Sequence, residues 1–216
     1  MYECRNVPDV LGRVAVFASR VDDGVCDCCD GSDESPDVGC ANTCDAAVAV
    51  LQHEVDDRRR GAIKRRTRVA RGRKMFPSLE ENVRSLVDRS DNIDRDVLLG
   101  LVTLVDRPCF GLSAGEFDYN VCPFRSVTQT SRTTKRKVSL GKSASSVSSS
   151  EDEKGWLRLQ LTMTGGDPGG CPNRRPRQTT IDFVCSPSPD AAIDIAESEV
   201  CKYTVRIGTS AACVLS

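Results

Sequence analysis

Apolar and polar positions keep different rhythms in different stretches of the chain. Residues 1–44 show little periodicity, and their one apolar cluster of note is Val14, Val16 and Phe17. Ala46-Ala47-Val48-Ala49-Val50-Leu51 suits a helix. Arg58 to Lys74 then holds ten basic residues and no acidic one, and Pro77 breaks the run. Ser78 with Glu81 three residues later has the form of a capping box and predicts a helix start there. Leu98, Leu101, Val102 and Val105 recur at i, i+3, i+4 and i+7, which is one face of a further helix. Beyond residue 105 the rhythm becomes alternation, as in Trp156-Leu157-Arg158-Leu159-Gln160-Leu161, with Gly and Pro between short β-branched stretches. That predicts an all-β domain of short strands. Ser143 to Ser150 contains six serines and is followed by Glu151-Asp152-Glu153; so biased a segment reads as a disordered loop.

The cysteines divide the chain. Cys4, Cys26, Cys28, Cys29, Cys40 and Cys44 form one set of six; Cys109, Cys122, Cys171, Cys185, Cys201 and Cys213 form another. Two even sets with an empty middle imply disulfide-bonded modules over 1–44 and 106–216, joined by a basic, partly helical linker over 45–105. Zinc is the competing use of cysteine, but it wants paired CxxC or histidine ligands, and the only histidine, His53, lies in the linker. Disulfides place the protein in an oxidising compartment. With aromatics at 5% and charged residues at 28% of 216 residues, one large core is not expected. No apolar stretch reaches the roughly 20 residues of a membrane span. The chain opens Met1-Tyr2-Glu3-Cys4, already inside the first module, and ends Val214-Leu215-Ser216 without a retrieval signal. It is therefore expected to be a fragment, or to be held in its compartment by a partner.

The net charge of −1 gives no overall steering, so charge matters only where it clusters. The basic run invites a nucleic-acid reading. Against this, its flanking modules need oxidation and no aromatic residues interleave the charges. A solvated helix, or a contact for an acidic partner surface, is the default. Residues 20–34 carry six acidic residues among three cysteines. Asp23, Asp27, Asp33 and Glu34 would repel one another if held together without a cation, and Ca²⁺ takes six to eight oxygens of this kind. The cysteines would hold such a cage preformed.

The run Cys28-x-Asp30-Gly31-Ser32-Asp33-Glu34 resembles the end of a class A low-density-lipoprotein-receptor module. The longer string from Ser19 to Glu34, containing Cys26-Asp27-Cys28-Cys29, is closer still to the amino-terminal repeats of the glucosidase II beta subunit family. That family has two such repeats and usually Asn where Asp22 stands; only the second has a counterpart here. The resemblance implies Ca²⁺ held by the side chains of Asp23, Asp27, Asp33 and Glu34 and the carbonyls of Arg20 and Val25. It implies the disulfides Cys4–Cys28, Cys26–Cys40 and Cys29–Cys44.

The second module points the same way. Phe117-Asp118-Tyr119-Asn120-Val121-Cys122-Pro123-Phe124 followed by Val127-Thr128-Gln129, then Leu140-Gly141, resembles the opening of a mannose-6-phosphate receptor homology domain, a flattened all-β barrel or sandwich of P-type lectin kind. Arg177 lies six residues after Cys171 and eight before Cys185, while Glu197 lies four before Cys201 and Tyr203 two after it. The resemblance implies Cys109–Cys122, Cys171–Cys201 and Cys185–Cys213, and a carbohydrate site of Gln129, Arg177, Glu197 and Tyr203. Alone, each of the four is an ordinary surface polar group. Together they supply the amide, guanidinium, carboxylate and phenol that can read a ring of hydroxyls, including the axial 2-hydroxyl of mannose. Two departures stand out: Pro172 replaces a tryptophan that helps wall the sugar, and Ser198 follows Glu197 where the family has proline.

The resemblance implies a non-catalytic subunit of endoplasmic reticulum glucosidase II. Such a subunit binds high-mannose N-glycans and retains the catalytic alpha subunit in the lumen. The alternative is a stand-alone lectin of the same homology family, of the degradation-pathway type; the acidic, cysteine-rich first module argues against it. An extracellular receptor fragment would need an anchor elsewhere in its gene. An enzyme is not expected. His53 lies far from any plausible nucleophile loop, and the clustered carboxylates suit a metal better than glycoside hydrolysis.

Overall fold

The computed structural model describes residues 1–152 and 156–214; Glu153 and the terminal Leu215-Ser216 of the retrieval-signal reading lie outside the described residues. The chain forms two compact units, Met1–Asp56 and Asp57–Ser216.

In the first unit β1 (Tyr2–Glu3) pairs antiparallel with β2 (Ala15–Val16), and single 3-10 turns link the rest. Its buried apolar residues are Cys4, Cys28 and Cys44, with the carboxylates of Asp33 and Glu34 beside them, while Val10, Phe17 and Val25 are exposed. Phe17 is thus no core residue, although it belongs to the segment's apolar cluster. Sulfur bridges take the place of a hydrophobic core, as expected for so short a segment. They join Cys4 to Cys28, Cys26 to Cys40 and Cys29 to Cys44, the pairs the resemblance implies. The helix α1 (Cys44–Met75) starts at the last of these cysteines.

The second unit holds the C-terminal part of α1, then α2 (Glu81–Asp88), α3 (Arg95–Val102) and two sheets. The strands β3 (Phe110–Ala114), β4 (Phe117–Cys122), β5 (Ser126–Ser131) and β6 (Lys137–Gly141) form an antiparallel meander. The second sheet consists of β7 (Ser143–Glu151), β8 (Leu157–Thr164), β9 (Gln178–Cys185), β10 (Ala191–Glu199) and β11 (Lys202–Thr209), in the order β10-β11-β9-β8-β7. The pair β9–β11 is parallel and the others are antiparallel. Val121, Val127 and Leu140 of the meander share one core with Leu159, Ile181, Phe183, Val205 and Ile207 of the second sheet. The arrangement is a sandwich of open sheets rather than a closed barrel.

Residues 57–105 do not form a separate linker. Leu79, Val83, Leu86, Val87, Val97, Leu98, Leu101 and Val102 belong to the same core as the strands, so α2 and α3 are integral to the β domain. The α3 stripe lies where the periodicity puts it. Asp94 caps the helix by accepting from the backbone N–H groups of Asp96 and Val97 at 2.8 and 3.1 Å. Ser78 caps nothing. It ends a 3-10 turn, Phe76–Ser78, and its hydroxyl donates to the Met75 carbonyl at 2.8 Å, so α2 begins at Glu81.

The basic run is neither wholly solvated nor irregular. Gly61 and Gly72, three turns apart on α1, meet the domain at backbone distance: a Cβ on Gly61 would lie 2.1 Å from Cys213 Sγ, and one on Gly72 1.8 Å from the Leu99 carbonyl oxygen. Between them Val69 is buried, and Arg65 and Arg68 are mostly so. Acids of the domain answer the helix cations, pairing Arg73 with Asp96 (2.7 Å), Arg65 with Asp94 (3.8 Å), Arg71 with Asp106 (3.6 Å) and Arg68 with Asp190. Arg58 lies over the ring of Trp156, its guanidinium carbon 3.6 Å from the centroid. The serine-rich segment is also ordered. As β7 it pairs with β8 along its length, from Ser143 opposite Thr164 to Glu151 opposite Leu157, and only Val147 is buried.

Candidate functional site

Two constellations of polar groups stand out, one in each unit. In the first unit the acidic loop is wound by a 3-10 turn at Ala18–Arg20 and by left-handed backbone at Asp22 and Gly24. Asp33 is 1% exposed. Its Oδ2 accepts from the backbone N–H groups of Asp27 (2.7 Å) and Cys28 (3.1 Å), while its Oδ1 is buried with no hydrogen-bond partner. Glu34 accepts from Asp23 N–H at 3.0 Å and Gly24 N–H at 2.9 Å. The Arg20 guanidinium lies 3.7 Å from Asp23 and 3.8 Å from Asp27. Asp23, Asp27, Asp33 and Glu34 therefore share one loop, with a positive group already drawn to two of them. An orphaned, buried carboxylate oxygen suits a hard cation, but no three of these four carboxylates bring ligand atoms within 4.8 Å of one another.

Among the described residues, the metal-type side chains whose ligand atoms lie within 4.8 Å of one another are Cys4, Cys28 and Asp30. That trio is not a site, because Cys4 and Cys28 are bonded to each other. Asp30 is spent on structure, accepting from Asn6 N–H at 2.8 Å and the Ser32 hydroxyl at 2.9 Å. Burial pushes its carboxyl up, but these hydrogen bonds outweigh burial and hold it below the usual carboxylate range.

In the second unit, strand register assembles the other constellation. Gln129 on β5 stands opposite Tyr119 on β4, and its amide donates to the Tyr119 hydroxyl at 3.2 Å. Glu197 on β10 stands opposite Tyr203 on β11. Arg177 lies just before β9, its Nη1 donating to the carbonyls of Asp167 (2.6 Å) and Gly169 (2.7 Å). Its Nε is buried without a partner. Burial pushes the Tyr203 phenol up; a hydrogen bond to Arg177 acts in the opposite sense, and the charge of Glu197 adds to the rise. The Tyr119 phenol is also raised, first by burial and further by Glu197. Glu197 accepts from Cys201 N–H at 2.7 Å. Register thus pairs Gln129 with Tyr119 and Glu197 with Tyr203, and the charge of Glu197 is felt at both phenols; Tyr119 is the member on which sequence reasoning puts too little weight. That residue stands in the Phe117–Phe124 motif, and its place opposite Gln129 is the signal that marks it.

A cleft of about 450 Å³ opens here, walled by Phe117, Gln129, Arg136, Val138, Gly170 and Arg177. Glu197 and Tyr203 do not line it; Arg177 and Glu197 both act on the Tyr203 phenol from beside it. Cys171–Cys201 and Cys109–Cys122 fix the segments carrying Arg177, Glu197 and Gln129, and Cys185–Cys213 closes the domain. These too are the pairs the resemblance implies. Pro172 is exposed, opens a 3-10 turn with left-handed Asn173 and Arg174, and borders a separate hollow of about 230 Å³. Position 172 supplies no wall to the Gln129–Arg177 cleft. A hexose presents hydroxyls that both donate and accept, and this cleft offers an amide, a guanidinium and flanking aromatic surface to meet them.

A family described as PRKCSH-like, glucosidase II beta subunit-like, matches residues 4–99. Glucosidase 2 subunit beta of Mycosarcoma maydis is 27% identical over 113 residues, which are 50% of this chain but only 18% of that protein. Among solved structures, the MRH domain of Yos9 complexed with alpha3,alpha6-Man5 shares 17% identity over 62% of this chain and 93% of its own, at a TM-score of 0.47. The MRH domain of glucosidase II beta bound to mannose shares 19% identity over 52% of this chain and 99% of its own, at a TM-score of 0.36.

Proposed function

We propose, on the premise that this chain belongs through residues 4–99 to the glucosidase II beta subunit-like family, that it is the non-catalytic, sugar-binding subunit of an α-glucosidase complex. Its β domain takes mannose of a high-mannose N-glycan into the cleft at Gln129 and Arg177. Its first unit carries Ca²⁺ and docks the catalytic alpha subunit, in the lumen of the endoplasmic reticulum. The observation that supports this best is the open cleft that Gln129 and Arg177 line together, with the Glu197–Tyr203 pair acting beside Arg177.

In this reading Arg177 is the central donor. Two carbonyls hold its Nη1 while its buried Nε makes no hydrogen bond, so the guanidinium is oriented before any sugar arrives. Gln129 both donates and accepts, and Glu197 would accept from vicinal hydroxyls of a sugar that extends past the cleft lining. Asp23, Asp27, Asp33 and Glu34 would hold Ca²⁺ together with the carbonyls of Arg20 and Val25; the cation would supply charge neutralisation and rigidity to the loop. No chemistry on the glycan falls to this chain. By tethering the glycan it raises the effective concentration of the glucosyl arm at the partner's catalytic site.

The test is an alpha–beta complex carrying Arg177→Ala or Glu197→Gln. Trimming of a high-mannose glycan is expected to fall about tenfold, the loss of one charged hydrogen bond, while hydrolysis of a small chromogenic glucoside stays unchanged. Equal loss on both substrates, or on neither, refutes the reading.

A further inference from the structure

The second unit contains a larger cleft with no part in the sugar site. It has a volume of about 470 Å³ and lies between the C-terminal part of α1 and the 188–190 turn. Lys64, Arg68 and Arg71 project into it from helix positions i, i+4 and i+7, and Arg107 joins them from the segment after α3. Like charges at such spacing repel and weaken a helix, so the arrangement calls for a neutralising group. Asp190 supplies part of one. Its side chain is fully buried and accepts from Arg68 and, at 2.8 Å, from the Thr209 hydroxyl.

All three nitrogens of Arg68 are then engaged. Its Nε donates to Ser210 Oγ at 2.8 Å, its Nη1 to Thr103 Oγ1 at 3.1 Å and its Nη2 to Asp190. It forms a fixed floor. The other cations keep donors to spare, although Lys64 gives one to the Pro187 carbonyl. Arg107 Nε is buried without a hydrogen bond, 3.5 Å from Asp190. Arg71 is half exposed and meets Asp106 at only 3.6 Å. Four cations line the cleft against one lining acid, Asp190; counting Asp106 as well, two positive charges stay uncompensated. The hydroxyl of Ser188 adds a neutral donor at the wall.

We propose that this cleft binds a doubly charged oxyanion, a phosphate monoester or inorganic phosphate or sulfate, held by Arg71, Arg107 and Lys64 above the Arg68–Asp190 floor. A dianion matches the uncompensated charge, and the planar fork of arginine matches the geometry of a tetrahedral oxyanion. The volume admits the ion together with a small organic group. The site shares no lining residue with the sugar cleft, so it stands or falls independently of the proposed function.

The test is calorimetric titration of the oxidised full chain at constant ionic strength with inorganic phosphate, sulfate, phenyl phosphate and acetate. Saturable one-to-one binding of the first three is expected, with acetate at least tenfold weaker. Tighter binding of phenyl phosphate than of phosphate would identify an ester as the occupant, and equal binding would identify the free ion. Arg71→Gln and Arg107→Gln should each weaken binding about tenfold. Lys74→Gln, the same charge change on α1 outside the cleft, should leave it unaltered. Both cleft arginines are partly exposed, so either variant should fold, and Trp156 fluorescence checks it. Linear, unsaturable heats, or wild-type affinity in either folded cleft variant, would overturn the proposal.

Discussion

Gly72→Ala separates a packed helix from a merely helical one. In an exposed helix interior the change from glycine to alanine stabilises by about 1 kcal/mol, because glycine loses more backbone entropy. At position 72 the new Cβ would lie 1.8 Å from the Leu99 carbonyl oxygen, about half the ordinary contact distance, and 2.7 Å from its carbon. The obstruction is backbone within α3, which cannot rotate aside, so α1 must lift from the domain. Overpacking of this kind costs about 1–3 kcal/mol, and a backbone obstruction belongs at the upper end. Subtracting the propensity gain leaves a net loss of about 2 kcal/mol, or a fall in Tm of roughly 4–8 °C for a unit of this size. Ala70→Gly, at an exposed position two residues earlier, should cost about 1 kcal/mol and calibrates the propensity part. Urea denaturation of the oxidised protein, followed by fluorescence of Trp156, the sole tryptophan, reads the right unit, since that ring lies against Arg58 of α1. A Gly72→Ala variant as stable as the wild type, or more so, refutes the embedded helix.

Asp190→Asn should destabilise the second unit by about 3–5 kcal/mol in the same assay, because it leaves the mostly buried Arg68 cation without its counter-charge. Ca²⁺ at millimolar concentration should raise the Tm of the oxidised chain relative to chelator; Asp33→Asn should abolish the shift, and an unresponsive wild type would remove calcium from the reading. Acid should weaken the fold through Asp167, whose carboxyl is held below its ordinary range by the Ser139 backbone N–H and by Lys142. A carboxyl with a depressed folded pKa stabilises above its unfolded value, near 3.9, and loses that contribution as pH falls through the folded value. Scanning calorimetry should therefore show Tm steady from neutrality to about pH 5 and falling below about pH 4. Asp167→Asn should remove a few tenths of a kcal/mol of that acid dependence, as suits an exposed pair.

The parts of this protein legible in its sequence are those fixed by covalent or spacing rules. Cysteine positions, read through a family pattern, carry all six pairings, and the spacing of Gln129 and Arg177 about those cysteines picks out two residues that line one cleft. The α3 stripe is legible because its buried face is apolar. The buried face of α1 is not, because it is built from Gly61, Arg65, Arg68, Val69 and Gly72: glycines for close approach and arginines answered by distant aspartates. No periodicity of apolar residues can mark such a face, so residues 57–105 read as a linker. Ser143–Ser150 misleads in another way. Serine has no strong preference for strand, and β7 owes its form to the β8 ladder and to Val147. Ser78 and Glu81 have the right spacing for a cap, but Pro77 and the 3-10 turn shift the helix start past it.

The grouping of the disulfides bears on how this chain is made. Every bridge closes within one set, and the longest spans 30 residues. The first three need no cysteine beyond Cys44. During vectorial synthesis the early thiols can therefore be consumed before the later ones exist. Sixty-four residues separate Cys44 from Cys109, so the first set can close without any thiol of the second.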